Sequence, residues 1–374
     1  MVKSALVIGG TGPTGPHILN GLLDRGFDVT IFHRGAHEPS DVPDVRHIHG
    51  DPHFRETIEQ SVGAGSYDVV VAAYGRTGLL AESFAGRTDH FLAIGGSPRY
   101  AGFNEPHLLS PSGPALPIRE DAPSALTVDG GDSGAMKFAH RMVRTEEAVF
   151  AAHPDATYLI YPIVYGPRTV WPWEWSVIRR VRDHRTTILI PDEGNALHGR
   201  VAAENAAELI LRAIDRPATS KGKRYNAGDD QQYTVRQWVE LLLEGLGANA
   251  DLLSVPSSIA PWVRAMYSPT SGSISEHTML DTAKARYELE MQDVIGVREA
   301  VAALLQWYER NPVDEANSPA FVDQFDYARE DALVESWAGY SNEIRRAIDP
   351  SIPDDVHPMA HPKKAGELTD QKGR

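Results

Sequence analysis

Cysteine is absent from the 374 residues. That excludes disulfide frameworks, thiolate catalysis and cysteine zinc centres. Positive charge is short relative to negative: 36 Lys+Arg stand against 51 Asp+Glu, a formal net charge of −15. This balance opposes general affinity for nucleic acid or an anionic membrane. No uninterrupted apolar run approaches the roughly 20 residues of a membrane-spanning helix. A strand pattern begins almost at Met1, leaving no room for a signal peptide, so a cytoplasmic protein is expected. What is present is ordinary for a globular chain: 42% hydrophobic and 23% charged residues. The length suffices to bury a substantial core in one large domain or two smaller lobes.

The strongest signal lies at residues 7–18. The apolar run Ser4-Ala5-Leu6-Val7-Ile8 ends in Gly9-Gly10-Thr11-Gly12-Pro13-Thr14-Gly15, and an amphipathic stretch with Ile18, Leu22 and Leu23 follows at once. A strand entering a helix through such a turn lets backbone approach a pyrophosphate, and the helix N-terminus supplies free N–H groups. A glycine-rich hairpin would require a second strand after Gly15, whereas the period there is helical.

Strand-like runs then alternate with helical patterns: Phe27–Phe32, Val45–His49, Tyr67–Ala73, Phe91–Ile94 and Thr157–Tyr161. Continuous apolar strands with helices between them predict an α/β fold, a doubly wound parallel sheet covered on both faces. A later helix is expected over residues 235–246, with Val235, Trp238, Val239, Leu242, Leu243 and Leu246 on one stripe. Beyond residue 312, a C-terminal extension is expected to form one helix near residues 329–348 and then a mobile tail.

The second strand bears on the cofactor. A binder of NAD places an acid at its end; an arginine suits the 2′-phosphate of NADP. Here the segment reads Ile31-Phe32-His33-Arg34-Gly35, without an acid. Arg34 offers a fork of donors and His33 another, which favours NADP. Asp51, after the third strand, is placed to reach the adenine end. His47, His49, Asp51 and His53 alternate and would share one face of an extended strand. Ligands spaced this way on a parallel sheet seldom converge on one ion, so the segment reads as a strand end beside the adenine, with no metal.

Several segments in one order carry a family resemblance. They are the glycine turn; Pro117-Ile118-Arg119-Glu120-Asp121-Ala122-Pro123; Tyr161-Pro162-Ile163-Val164-Tyr165-Gly166-Pro167-Arg168; and Asp281–Arg286 through Trp307-Tyr308 to Asn311-Pro312. Over roughly residues 3–312 the chain resembles the extended short-chain dehydrogenases/reductases, the group that includes nucleotide-sugar epimerases and dehydratases. The resemblance implies a Rossmann domain over 1–166, with segments around 197–228 returning to it. A substrate lobe is then expected from 167–196 and 229–312. It also implies a Tyr-x-x-x-Lys pair on a helix and a Ser or Thr after the fifth strand. The lysine would hold the nicotinamide ribose and lower the phenol's pKa.

The chain departs from that pattern. Ser133-Gly134-Ala135-Met136-Lys137 falls on the Tyr-x-x-x-Lys positions, so Lys137 is kept and serine replaces tyrosine. In Ile94-Gly95-Gly96-Ser97-Pro98-Arg99-Tyr100, glycines cover the serine pair and Ser97 lies one position beyond. The loop from Phe103 to Pro114 reads as an insertion. Three readings stay open. One is an NADP-dependent reductase of an apolar carbonyl or conjugated compound, with Tyr100 as leading substitute acid and Tyr165 and Tyr74 behind it. Another is redox-neutral epimerase or dehydratase chemistry. The third is an NADP-binding sensor without turnover. Ser97, Tyr100, Ser133 and Lys137 are the expected reacting-centre residues. Tyr165, Trp171, Trp173 and His198 are expected to meet a small-molecule substrate. In an extended segment Trp171, Trp173 and Trp175 would face one way. Arg168, Arg179, Arg180, Arg182 and Arg185 read as a solvated face or an anion site. In the family the helix bearing Lys137 packs on a partner subunit, so a homodimer through Phe138, Met142 and Val149 is expected.

Overall fold

Continuous apolar runs become interior strands. The computed structural model describes residues 2–35, 42–130, 132–267, 276–316, 318, 323–348, 364–366 and 368. Strands β1 (Ser4–Ile8), β2 (Asp28–His33), β3 (Arg46–His49), β4 (Tyr67–Ala72), β5 (Thr88–Gly96) and β6 (Thr157–Tyr161) pair in parallel in the order β6-β5-β4-β1-β2-β3. A short strand, Arg224–Asn226, adds parallel to the outer side of β6. The sequence pattern foresaw the first six and missed this last one, which is only three residues long.

Alternate residues of each strand feed opposite layers. Val7, Ile31 and Val71 pack with Ile18 and Leu22 of helix α1 (Gly15–Asp24). The other face sets Leu6, Phe32 and Val70 against Ile58 of α2 (Arg55–Val62), Leu80 of α3 (Thr77–Ser83) and Val149 of α4 (Gly134–Ala152). Beyond α5 (Glu174–Arg182), helix α6 (Ala203–Asp215) joins the α1 layer through Ala206 and Ile210. This is the doubly wound α/β sheet.

The chain runs outward from β1 to β3 and returns to place β4 on the other side of β1. Gly9 N–H bonds Phe32 O at 3.0 Å, and Ala73 N–H bonds Ile8 O at 3.0 Å, so the ends of β1, β2 and β4 lie side by side. The strand order reverses there, the point at which open α/β sheets bind ligands.

Two small parallel sheets lie outside the main one: Ile163–Tyr165 with Arg200–Ala202, and Thr187–Pro191 with Asp251–Val255. The expected stripe at 235–246 forms the helix Val235–Gly245. There Thr234 accepts from Gln237 N–H, and the Gln237 side chain returns the bond to Thr234 N–H, a capping box that stops fraying. Residues 1–325 form one compact unit and residues 326–374 a second, whose helix spans Tyr327–Ala347. The expected mobile tail falls almost wholly outside the described residues. Among the described residues no helix is long and apolar enough to cross a membrane.

Candidate functional site

The glycine turn is built from backbone that side chains would spoil. Gly9 and Gly10 have φ of +109° and +76°. A Cβ on Gly15 would stand 2.0 Å from Gly10 O, so close helix–strand packing forbids a side chain there. Gly12 differs: a Cβ would meet nothing within 4 Å. The open space lies before α1, whose N-cap Thr14 makes no side-chain capping bond. Thr11 is half-buried within the turn. Uncapped N–H groups, a dipole end and a face without side chains are the elements of a pyrophosphate site.

Beyond the turn, Arg34 is exposed, with its guanidinium 5.6 Å from the Tyr74 ring centroid. His53 meets the same ring edge-on at 5.1 Å. Asp51 Oδ1 accepts from His53 N–H at 3.0 Å and lies 2.7 Å from His53 Nδ1. Burial pushes the Asp51 carboxyl up, but the His53 hydrogen bonds and the Arg34 charge prevail and hold it below the usual range. Arg34, Tyr74, His53 and Asp51 thus form one wall beside the turn.

His33 does not belong to that wall. It is buried at the end of β2, with Nε2 2.9 Å from His47 Nδ1. The sequence reading grouped His47, His49, Asp51 and His53. The structure regroups them, because register sets His33 opposite His49 while Asp51 and His53 turn toward Tyr74 after β3 ends.

At the start of α4, Ser133 is the N-cap. Its Oγ accepts from Met136 N–H at 3.1 Å and donates to Glu105 Oε1 at 2.9 Å. Glu105 comes from the loop between Phe103 and Pro114, whose Asn104 also donates to Ala135 O at 3.4 Å. The loop thus sits on the helix start and supplies a carboxylate there. Lys137, one turn on, is 64% exposed, with Nζ 3.5 Å from Asp132 Oδ1. Sequence reasoning missed Glu105, although the loop's departure from the resembled pattern just ahead of Ser133 was a usable signal.

Tyr100 is not a substitute acid. It is 1% exposed, its hydroxyl donates to Asn226 Oδ1 at 2.6 Å, and burial drives its pKa far above the ordinary phenol value. Ser97 is also buried, opening the short turn Ser97–Arg99 after β5. The glycine at 95 has a steric cause: a Cβ there would lie 2.2 Å from the Tyr158 hydroxyl.

The expected substrate residues are mostly interior. Tyr165 is fully buried and donates to Asp229 Oδ2 at 2.8 Å. Burial pushes the Asp229 carboxyl up to about 6. His198 is buried against Trp173, ring centroids 5.5 Å apart, and burial keeps it neutral well below its ordinary pKa. Trp171 is exposed, but the three tryptophans share no face, because Trp173 caps α5 and Trp175 lies inside that helix. Trp175 Nε1 donates to Glu315 at 2.7 Å. Two arginines of α5 are internal ties: Arg180 is fully buried on Asp323 at 2.6 Å, and Arg179 pairs with Glu315 and Asp183, whereas Arg182 is exposed. Arg180 therefore belongs to neither a solvated face nor an anion site. On α4, Val149 is core; Phe138 is exposed and Met142 half-buried.

Similar solved structures share this architecture. The Bordetella bronchiseptica enzyme WbmH in complex with NAD+ superposes with a TM-score of 0.63 at 16% identity, covering 84% of this chain and 100% of that one. UDP-glucose 4-epimerase from Thermotoga maritima, with UDP-glucose, gives 0.61 at 16% identity, over 82% and 99%. The Bifidobacterium longum UDP-glucose 4-epimerase in complex with NAD+ and UDP gives 0.62 at 16%, over 83% and 99%. The likeness is one of fold. No protein-family model matches the sequence, and no curated protein matches it.

Proposed function

We propose that this protein is an NADP(H)-dependent oxidoreductase that reduces an apolar carbonyl or conjugated small molecule. The observation that carries the reading is the uncapped α1 N-terminus behind the open face of Gly12, with Arg34 in place of an acid after β2. A Cβ-free approach fits a pyrophosphate, and an exposed guanidinium fits a 2′-phosphate. Gly9, Gly10, Thr11, Gly12, Thr14 and Gly15 would hold the pyrophosphate, Arg34 the 2′-phosphate, Tyr74 and Asp51 the adenosine, and Lys137 the nicotinamide ribose. When bound, NADPH supplies a hydride to the substrate carbon.

The chain's own task is then the proton. Ser133 stands where the resemblance expects a phenol, and its hydroxyl is bonded to Glu105. In alcohol oxidation, Glu105 accepts through Ser133 the proton that the substrate hydroxyl gives up. In reduction the same pair returns it to the substrate oxygen. A conjugated acceptor fits such a weak acid, because hydride addition then builds an enolate that water can protonate.

The chain's structural neighbours include UDP-glucose 4-epimerases, so redox-neutral sugar chemistry is the second reading. The Ser133–Glu105 pair favours it less, since the resemblance implies that epimerases and dehydratases depend on the tyrosine whose position Ser133 takes. A homodimer would use Phe138 and Met142 of α4.

The test uses NADPH deuterated at nicotinamide C4, with panels of aldehydes, enones, imines and UDP-sugars. Deuterium in a reduced product with consumption of NADPH supports the reductase. Epimerised sugar without net cofactor consumption supports the second reading and refutes the first. Tight cofactor binding with no turnover of any panel member returns the protein to a binding role.

A further inference from the structure

Three imidazoles that the cofactor reading does not use converge at one edge of the main sheet. His33 ends β2, and His47 and His49 lie on the edge strand β3. Parallel register pairs His33 with His49 and Ile31 with His47. Residues two apart on a strand share a face, so all three rings project to the side on which Ile31 packs. One nitrogen from each ring lies within 4.8 Å of the other two. His33 Nε2 and His47 Nδ1 are 2.9 Å apart, and the three ring pairs meet edge-on with centroids 4.9, 4.9 and 6.1 Å apart.

We infer that His33, His47 and His49 form a binding site for a late first-row divalent cation, with Zn²⁺ the natural occupant. Imidazole suits Zn²⁺, Ni²⁺ and Cu²⁺ and is a poor ligand for Mg²⁺ or Ca²⁺. An ion about 2.0–2.1 Å from each nitrogen in tetrahedral geometry holds the nitrogens roughly 3.3 Å apart. The 2.9 Å pair is already inside that separation, and small ring rotations bring the third nitrogen in. Geometry also supplies a graded environment: His33 is buried, His47 half-buried and His49 exposed, so an ion can enter past His49 and rest against the core. Gly35 N–H donates to His33 Nδ1 at 3.3 Å, so His33 Nε2 carries the proton given to His47; on entry the ion takes Nε2, that proton moves to Nδ1, and the weak Gly35 bond is given up. Three protein ligands leave a fourth position for water.

The site ties the outermost strand to β2 immediately before Arg34. It is distinct from the pyrophosphate turn, and its chemistry does not depend on what the protein reduces.

The experiment is a calorimetric titration of chelator-treated full-length protein with ZnCl₂, paralleled by CoCl₂ read in the visible spectrum. One equivalent of Zn²⁺ and a tetrahedral Co²⁺ absorption band are expected. His49→Ala and His47→Ala should each weaken binding at least tenfold and abolish the band, while thermal unfolding shows both variants folded. His53→Ala and His107→Ala, which change nearby and remote histidines outside the cluster, should bind as the parent does. Absence of stoichiometric binding overturns the inference. So does Zn²⁺ affinity that survives loss of His47 or His49, or that is lost with His53 or His107.

Discussion

Adding one methyl group at Gly12 separates folding from cofactor binding more cleanly than any other change in the turn. The backbone there is not in the left-handed region, and a Cβ would meet nothing within 4 Å. Gly12→Ala should therefore fold, with stability unchanged or raised by about 0.4–1 kcal/mol through the smaller entropy of the unfolded chain. The methyl would stand on the face that a pyrophosphate must approach, so NADPH affinity should fall at least tenfold, about 1.4 kcal/mol. Gly15→Ala supplies the contrast. Its Cβ would lie 2.0 Å from Gly10 O and 2.2 Å from Gly10 C, backbone atoms that cannot rotate away. Rebuilding that contact should cost on the order of 1–3 kcal/mol or more and also end binding. Thermal unfolding and fluorescence titration with NADPH read both quantities on the same samples. A Gly12→Ala protein that folds and binds NADPH as well as the parent would refute the pyrophosphate assignment.

Other outcomes follow from buried groups. Tyr100→Phe leaves Asn226 Oδ1 without its 2.6 Å donor, which should cost about 1–3 kcal/mol in chemical denaturation while turnover per folded molecule stays unchanged. Ser133→Ala should lose about 1 kcal/mol of stability with the N-cap. Glu105→Gln keeps the cap and should instead lower kcat with little change in unfolding temperature; equal kcat would remove Glu105 from the proton path. Burial lowers the His90 pKa from 6.5 to about 4. The unfolded chain takes up that proton first, so this contribution is present above pH 6.5 and is lost as pH falls through 4, about 3 kcal/mol in all. Asp229, pushed up to about 6, acts oppositely: its contribution is present below pH 3.8 and is lost as pH rises through 6. Unfolding temperatures of His90→Gln should therefore decline less than the parent's between pH 7 and pH 5; an identical decline would contradict the assignment to His90.

Local features were legible in the sequence, and contacts between distant segments were not. The turn at residues 9–15 and the strands flanking it depend on neighbours a few residues away, so spacing and period revealed them. Arg34 was legible because the strand before it was. Tyr100, Tyr165 and His198 misled because burial depends on what packs over them: Asn226, Asp229 and Trp173 come from elsewhere in the chain. Glu105 reaches Ser133 across 28 residues, through a loop whose path no periodicity describes. The histidines show the same limit at strand level. Alternation along β3 was visible, but only the pairing of β2 with β3 brings His33 to the group and sends Asp51 and His53 away.

The most direct test is a calorimetric titration of the purified protein with NADPH and NADH side by side, repeated on Arg34→Asp. NADPH should bind at least tenfold more tightly than NADH, and Arg34→Asp should abolish or reverse that preference. Equal binding of the two cofactors by the parent, or an unchanged preference in the variant, would contradict the assignment of Arg34 to the 2′-phosphate. Failure of either to bind would contradict the reading of the glycine turn itself.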